Sequence, residues 1–261
     1  MTDKLLFDRA GAVATITFNR PALRNAVDAE TMAALREAIV NCDEDGTTRV
    51  IVLTGAGGAF CSGADLGVIA HADATPDSAW RILSEFYHPA LRAIHASRWP
   101  IIAAVDGVAA GLGCDIALAC DIRLASARAQ FAELFIRVGL IPDGGGTWSL
   151  PRIIGLGRAL ELFYSGASVP AEEARALGMA SHVFPTEQFA VEAAAYAGRL
   201  ATKAPLALTR IRQAVRAAQE STFAEALDRE AALQREILMS EDGFEGFRAF
   251  LEKRKPVWKG R

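Results

Sequence analysis

The hydrophobic pattern of the 261-residue chain falls into two regimes. Up to about residue 156, short apolar runs alternate with segments of helical spacing; from Gly157 on, the spacing is almost wholly helical. Residues 12–18, AVATITF, alternate as a strand, which Asn19-Arg20-Pro21 ends. Asp28 then predicts the N-cap of a helix with Met32, Leu35, Ile39 and Cys42 on one face, closed by Gly46. Two apolar runs, Val50–Leu53 and Ile101–Val105, read as buried strands, and each leads into a glycine-rich turn and a helix start. Between them, residues 67–76 are small and polar and predict a mobile connection. Pro76 to about Ser97 predicts a long helix with Trp80, Leu83, Tyr87, Leu91 and Ile94 on one face and Pro89 perturbing its middle.

Further strands are predicted around Ile122–Ala125 and Gln130–Ala132, and a short helix follows Asp143-Gly144-Gly145-Gly146 as far as Leu150. The remaining helices are expected over 157–164, 170–177, 186–202, 205–219, 222–238 and 243–254, with Thr222 and Glu225 as a capping box. The order implies an α/β core over 1–200 and a helical C-terminal region over 201–261. Such a region cannot easily bury all its apolar faces alone, so self-association is expected.

Composition narrows the classes. About half the residues are apolar and the net charge is −3, so nucleic acid is not an expected partner. The N-terminus lacks the apolar stretch of a signal peptide, and the run at 101–120, broken by Asp106 and Asp115, does not read as a membrane span. The expected location is the cytoplasm. Cys42, Cys61, Cys114 and Cys120 have no zinc-type spacing and are expected to be buried free thiols, with no metal site.

The two glycine units, RVIVLTGAGGAFCSGADL at 49–66 and IIAAVDGVAAGLGCDIALACD at 101–121, suggest chemistry. A helix start offers free N–H groups and a positive dipole end, and glycine lets a ligand approach the backbone. If the units converge, they hold a developing oxyanion between two donors. Neither completes a P-loop, nor a G-x-G-x-x-G dinucleotide motif, because Phe60 and Ile116 stand at the third glycine places.

ITFNRP at 16–21 with Asn25-Ala26, GAFCSGADL at 58–66, AAVDGVAAGLGCDIALACD at 103–121 and GLIPDGGGTWSLPRIIG at 139–155 together resemble the crotonase superfamily, the enoyl-CoA hydratases and isomerases. The resemblance runs from about residue 5 to the tail at 245–258. It implies a superhelix of ββα units whose C-terminal helices build trimers, often paired into hexamers. The implied substrate is an acyl-CoA thioester, its oxygen held by the backbone N–H groups of Ala64 and Leu112, with no further cofactor. Arg24 with the Ala22–Ala26 backbone, and the turn Ala64-Asp65-Leu66, resemble the family's CoA-binding segments. Lys253, Arg254, Lys255 and Lys259 would reach CoA phosphates or form a solvated basic tail.

The same resemblance bears on the reaction. The hydratases use two glutamates; here Asp115 takes the first position and Phe135 the second, with Glu133 two residues away, which disfavours hydration. Asp115 has a second reading as a helix-start charge matching Asp65. Asp143, beside Phe135, Ile136 and Trp148, is either a proton carrier raised by an apolar site or an N-cap; the residues alone do not separate the two. The motif IPD-x-GGTW-x-LPR is similar to enoyl-CoA isomerases of phenylacetate-type and fatty acid catabolism, in which this aspartate moves the proton. By resemblance to 4-chlorobenzoyl-CoA dehalogenases, Asp143 would instead be a nucleophile with His88 as base. A non-catalytic acyl-CoA binder is the remaining alternative. His71, His95 and His182 form no arrangement.

Overall fold

The computed structural model describes residues 2–69 and 75–261. Residues 70–74 of the 67–76 connection, and His71 with them, lie outside them.

The chain opens with a hairpin, β1 (Leu5–Ala10) and β2 (Val13–Phe18), followed by α1 (Ala29–Glu44), β3 (Val50–Gly55) and α2 (Leu66–Ile69). Next come α3 (Pro76–Ile82) and α4 (His88–Ala96), joined by a π-helical turn at Leu83–Tyr87. Then follow β4 (Ile101–Val105), β5 (Val108–Ala110), α5 (Leu112–Ala119), β6 (Ile122–Ser126) and β7 (Gln130–Ala132). The second half holds α6 (Gly146–Ile154), α7 (Leu156–Ser165), β8 (Ser168–Pro170), α8 (Ala171–Leu177), β9 (His182–Phe184), α9 (Phe189–Ala201), α10 (Pro205–Ala218), α11 (Phe223–Leu238) and α12 (Glu241–Leu251). One sheet runs β1-β2-β3-β4-β6-β9, antiparallel at its first pair and parallel thereafter; the other runs β5-β7-β8.

The apolar runs of β3 and β4 are central strands buried on both faces, as parallel strands covered by helices should be. Alternation sorts their side chains: Ile51, Leu53, Ile101 and Ala103 enter the main core, while Val50, Val52, Ile102 and Ala104 meet α9. Both glycine turns leave the same ends of these neighbouring strands, which puts them side by side. All four cysteines are free and buried.

Asp28 caps α1 as expected, accepting from the Thr31 N–H at 2.9 Å, and also pairs with Lys4 at 2.7 Å. Burial pushes its carboxyl up, but Lys4 and Thr31 outweigh that and hold it at about 2. A lowered carboxylate stabilises the fold above its ordinary value, and the contribution fades as pH falls towards 2. Asp28→Ala is therefore expected to lower unfolding stability by about 1 kcal/mol at pH 7. The deficit should shrink below pH 4 in denaturation curves.

Several sequence expectations need correction. The helix from Pro76 does change register before Pro89: the His88 N–H bonds Leu83 O, a π-type bond. A proline four residues after Glu85 cannot donate to it, so the turn widens. Tyr87 and Ile94 are buried on the expected face, but Trp80 is 65% exposed. Beyond Gly157, β8 and β9 interrupt the helices, and β1 and β5 were not predicted.

The C-terminal helices dock through charge. Arg212 bonds the carbonyls of Ile94, His95 and Ser97 at the end of α4 and pairs with Asp121 at 2.8 Å, joined by Arg216 at 2.7 Å. Phe223, Phe244, Phe247 and Phe250 of α11 and α12 stay exposed. No described helix is long and apolar enough to cross a membrane.

Candidate active site

The two glycine turns are stitched together by backbone hydrogen bonds. Phe60 and Cys61 both donate to Val108 O at 3.0 Å, and Ala110 donates to Cys61 O at 2.9 Å. Around Ala64 the chain forms a bridge with Val27: Val27 donates to Gly63 O and Asp65 donates to Val27 O. These bonds turn the neighbouring peptides towards Val27, and the Ala64 N–H has no acceptor among the described residues. Leu112 is the first residue of α5, so its N–H has no helical acceptor either. The turns approach closely: a Cβ on Gly63, at φ +107°, would sit 2.9 Å from Ala110 O and 3.5 Å from Leu112 N. Only glycine fits there.

The π turn in the helix after Pro76 serves the same place. Consecutive residues Tyr87 and His88 reach in two directions: the Tyr87 hydroxyl donates to Val27 O at 3.1 Å, behind Ala64, and His88 Nε2 lies 2.9 Å from Asp143 O. A carbonyl oxygen only accepts, so Nε2 carries the hydrogen.

Asp143 is half-buried in a cleft of about 300 Å³ lined by His88, Leu91, His95 and Trp148. It does not cap α6. Gly145 occupies the N-cap, and no N–H of the helix donates to the Asp143 carboxyl. Burial raises that carboxyl above its ordinary value, partly opposed by His88. A larger groove of about 540 Å³ between α6 and α10 holds one carboxyl, Asp121, whose oxygens are taken up by Arg212 and Arg216.

Asp115 and Glu133 are buried beneath this cleft, 1% and 2% exposed. Asp115 accepts from Gly144 N at 2.9 Å, so it holds the Asp143 loop instead of capping its own helix as a counterpart of Asp65 would. Burial, then Glu133, pushes Asp115 far up; burial also raises Glu133. Asp65 does mark its helix start, accepting from Gly67 N at 3.1 Å and pairing with Arg20 at 2.8 Å. Phe135 is half-buried, its ring edge 3.8 Å from where a Cβ on Gly111 would stand, just before Leu112. Trp148 stacks on Arg152 at 4.2 Å and meets His95 edge-on. Of the three apolar neighbours expected at Asp143, Trp148 lines its cleft, whereas Phe135 and the 47% exposed Ile136 do not.

Arg24 is exposed with φ 49°, and Ala26 is buried beside it. Their loop is tied to the first glycine turn by Asn25, whose amide donates to Ala56 O and Ala59 O at 2.9 and 2.7 Å. In the sequence Asn25 stands out only as part of the motif ITFNRP…Asn25-Ala26; its left-handed backbone, φ 59°, and its buried amide are visible only in the fold. Leu66 is exposed beside this loop. Lys259 is not brought to the site by any contact: its partners are Glu241 and Asp242 of α12. Arg254 is taken up by Glu245 and Glu252.

Comparison with known proteins agrees with this frame. The family model for enoyl-CoA hydratase/isomerase matches residues 8–261. The chain is 40% identical to the 1,2-epoxyphenylacetyl-CoA isomerase of Escherichia coli K12, covering 95% of each, and 39% identical to a probable enoyl-CoA hydratase of Rhodobacter capsulatus, covering 98% of this chain and 97% of that one. Among solved structures, an enoyl-CoA hydratase from Bacillus anthracis superposes with a TM-score of 0.95 at 31% identity, covering 99% of this chain and all of that one. The chain belongs to the enoyl-CoA hydratase/isomerase family, with the crotonase fold, and is an acyl-CoA-processing enzyme of that family.

Proposed function

We propose that this enzyme shifts the double bond of an enoyl-CoA by proton transfer through Asp143. The thioester oxygen rests between the Ala64 and Leu112 N–H groups. Asp143, as carboxylate, takes a proton from the carbon chain; the electron pair moves into the thioester, and the two donors stabilise the enolate. The same carboxyl returns the proton at the other end of the allylic system. Beyond Asp143, the two backbone donors and the substrate thioester itself, this reading calls for no cofactor. The carrying observation is that Asp143 is the one raised carboxyl that opens on the cleft while Asp115 and Glu133 lie buried below it.

Arg24, Ala26, Asp65 and Leu66 flank the CoA moiety in this reading, and Phe135 and Trp148 wall the acyl group. Lys259 would take part only from a tail moved away from Glu241. The exposed aromatics of α11 and α12 are covered by copies of the same chain, as a homotrimer or dimer of trimers.

Hydration is the second reading, because it needs two carboxyl groups and Asp115 and Glu133 supply a raised pair close by. The dehalogenase reading is weaker: His88 Nε2 already donates to Asp143 O, so that nitrogen is not free as a base. The deciding experiment offers the enzyme a 3-enoyl-CoA and crotonyl-CoA and separates the products. Isomerisation to the conjugated 2-enoyl-CoA without net water addition is expected; hydration of crotonyl-CoA as the dominant turnover overturns the proposal.

A further inference from the structure

The strongest unassigned feature is the carboxyl pair under the cleft. A Cβ on Gly146 would overlap Asp115 Oδ1 and lie 3.3 Å from Glu133 Oε1, so both acids press on one point of the α6 entrance. Among the described residues, no hydrogen bond of good geometry reaches Asp115 Oδ1 or either Glu133 oxygen; the Cys114 thiol stands beside Glu133, and no Lys, Arg or His pairs with the two acids. The titratable groups that face the pair are the Cys114 thiol from α5 and Asp143 from the loop above; His88 reaches that loop from α4. Two bare carboxylates buried this close to each other would repel. One proton between them removes a charge and provides the missing donor at once.

We propose that Asp115 and Glu133 share one proton at neutral pH, Asp115 Oδ1–H donating to Glu133 while Asp115 Oδ2 accepts the Gly144 N–H, and that this singly charged pair positions the Asp143 loop and opposes ionisation of Asp143. The second half rests on the reading of Asp143 as proton carrier; the shared proton does not. The two residues are positioning groups, since neither lines the cleft. The electrostatic effect is mutual: Asp143 raises both members of the pair.

The test uses the full chain with Asp115→Asn and the double variant Asp115→Asn/Glu133→Gln. Both carboxyls stand above their ordinary values in the folded state, so folding takes up protons and stability must fall as pH rises past the ordinary carboxylate range. With at least one extra proton bound, the wild-type folding constant should drop, relative to the double variant, by about tenfold per pH unit between pH 5 and 8. Parallel curves overturn the shared proton. Should the double variant fail to fold, Asp115→Asn alone, whose amide can make both bonds, still has to flatten the slope.

The second readout is the acid limb of the kcat profile. It should move to lower pH in the double variant, which can carry no negative charge there, and move less in Asp115→Asn, which keeps an ionisable carboxyl at Glu133. Mere structural support would change kcat without moving the limb, so an unmoved limb in the double variant overturns the tuning. If Asp143→Asn retains full turnover, the proton-carrier reading fails, and the stability curves still decide the shared proton.

Discussion

Asp143→Asn is expected to lower kcat for double-bond migration by about 10²–10⁴-fold, the range seen when a positioned acid–base group is lost. The substitution is nearly isosteric and leaves the backbone carbonyl that His88 holds at 2.9 Å, so the loop should keep its place. An amide neither takes nor returns a proton at neutral pH. KM should change little, because the thioester is held through backbone donors elsewhere. Exchange of substrate hydrogen with deuterated solvent should vanish together with turnover, since both need the same carboxylate. In the wild type, kcat should fall as pH drops through the Asp143 pKa, because the carboxylate form is the one that accepts the proton. Burial sets that limb above the ordinary carboxylate value. Full activity in the variant would transfer proton carriage to another group, and hydratase chemistry through Asp115 or Glu133 would then be the reading to pursue.

The sequence carried the interior of the fold well where the physics is local. β3 and β4 are continuous apolar runs, and α1 has both an N-cap and a clear apolar face, so each is fixed by its own residues. β1 was missed because LLFDRA is an exposed edge strand that carries Asp8 and Arg9 and buries only Leu5. β5, β8 and β9 have three residues each, and their only reason to be strands is a partner far along the chain. Trp80 fits a helical stripe, but that stripe turns outward ahead of the π turn, and spacing alone cannot register an extra residue per turn.

The site divides the same way. Asp143 was legible as a carboxyl at a glycine-rich bend, and the glycines themselves announced a close backbone approach. What could not be read is which way carboxyls face: Asp115 and Glu133 are 18 positions apart, and only the return of the chain through β6 and β7 stacks them under Gly146. Sequence likewise could not tell that Gly145, at φ 93°, would be the N-cap of α6 and leave the Asp143 carboxyl out of the cap, because the choice among successive residues at a glycine-rich bend is made by the backbone path.

Leu112→Pro is the second large effect, and it isolates a single hydrogen. Leu112 is the first residue of α5, a helical position where proline is favoured, since no intrahelical bond is lost and the fixed φ of proline suits a helix start. The variant should fold with α5 intact by circular dichroism, yet lack one of the two donors proposed for the thioester oxygen. Loss of one such donor lowers kcat by about 10²–10³-fold. The side chain needs a control, because Leu112 is 1% exposed and touches the main core. Leu112→Ala leaves the N–H in place and removes the same packing, so it should lose about 2–5 kcal/mol of stability while keeping most of its kcat. The contrast between the two variants therefore separates packing from hydrogen-bond donation. A proline variant as active as the alanine one would mean that the charge is stabilised elsewhere, and the enolate mechanism at this pair of turns would fall with it.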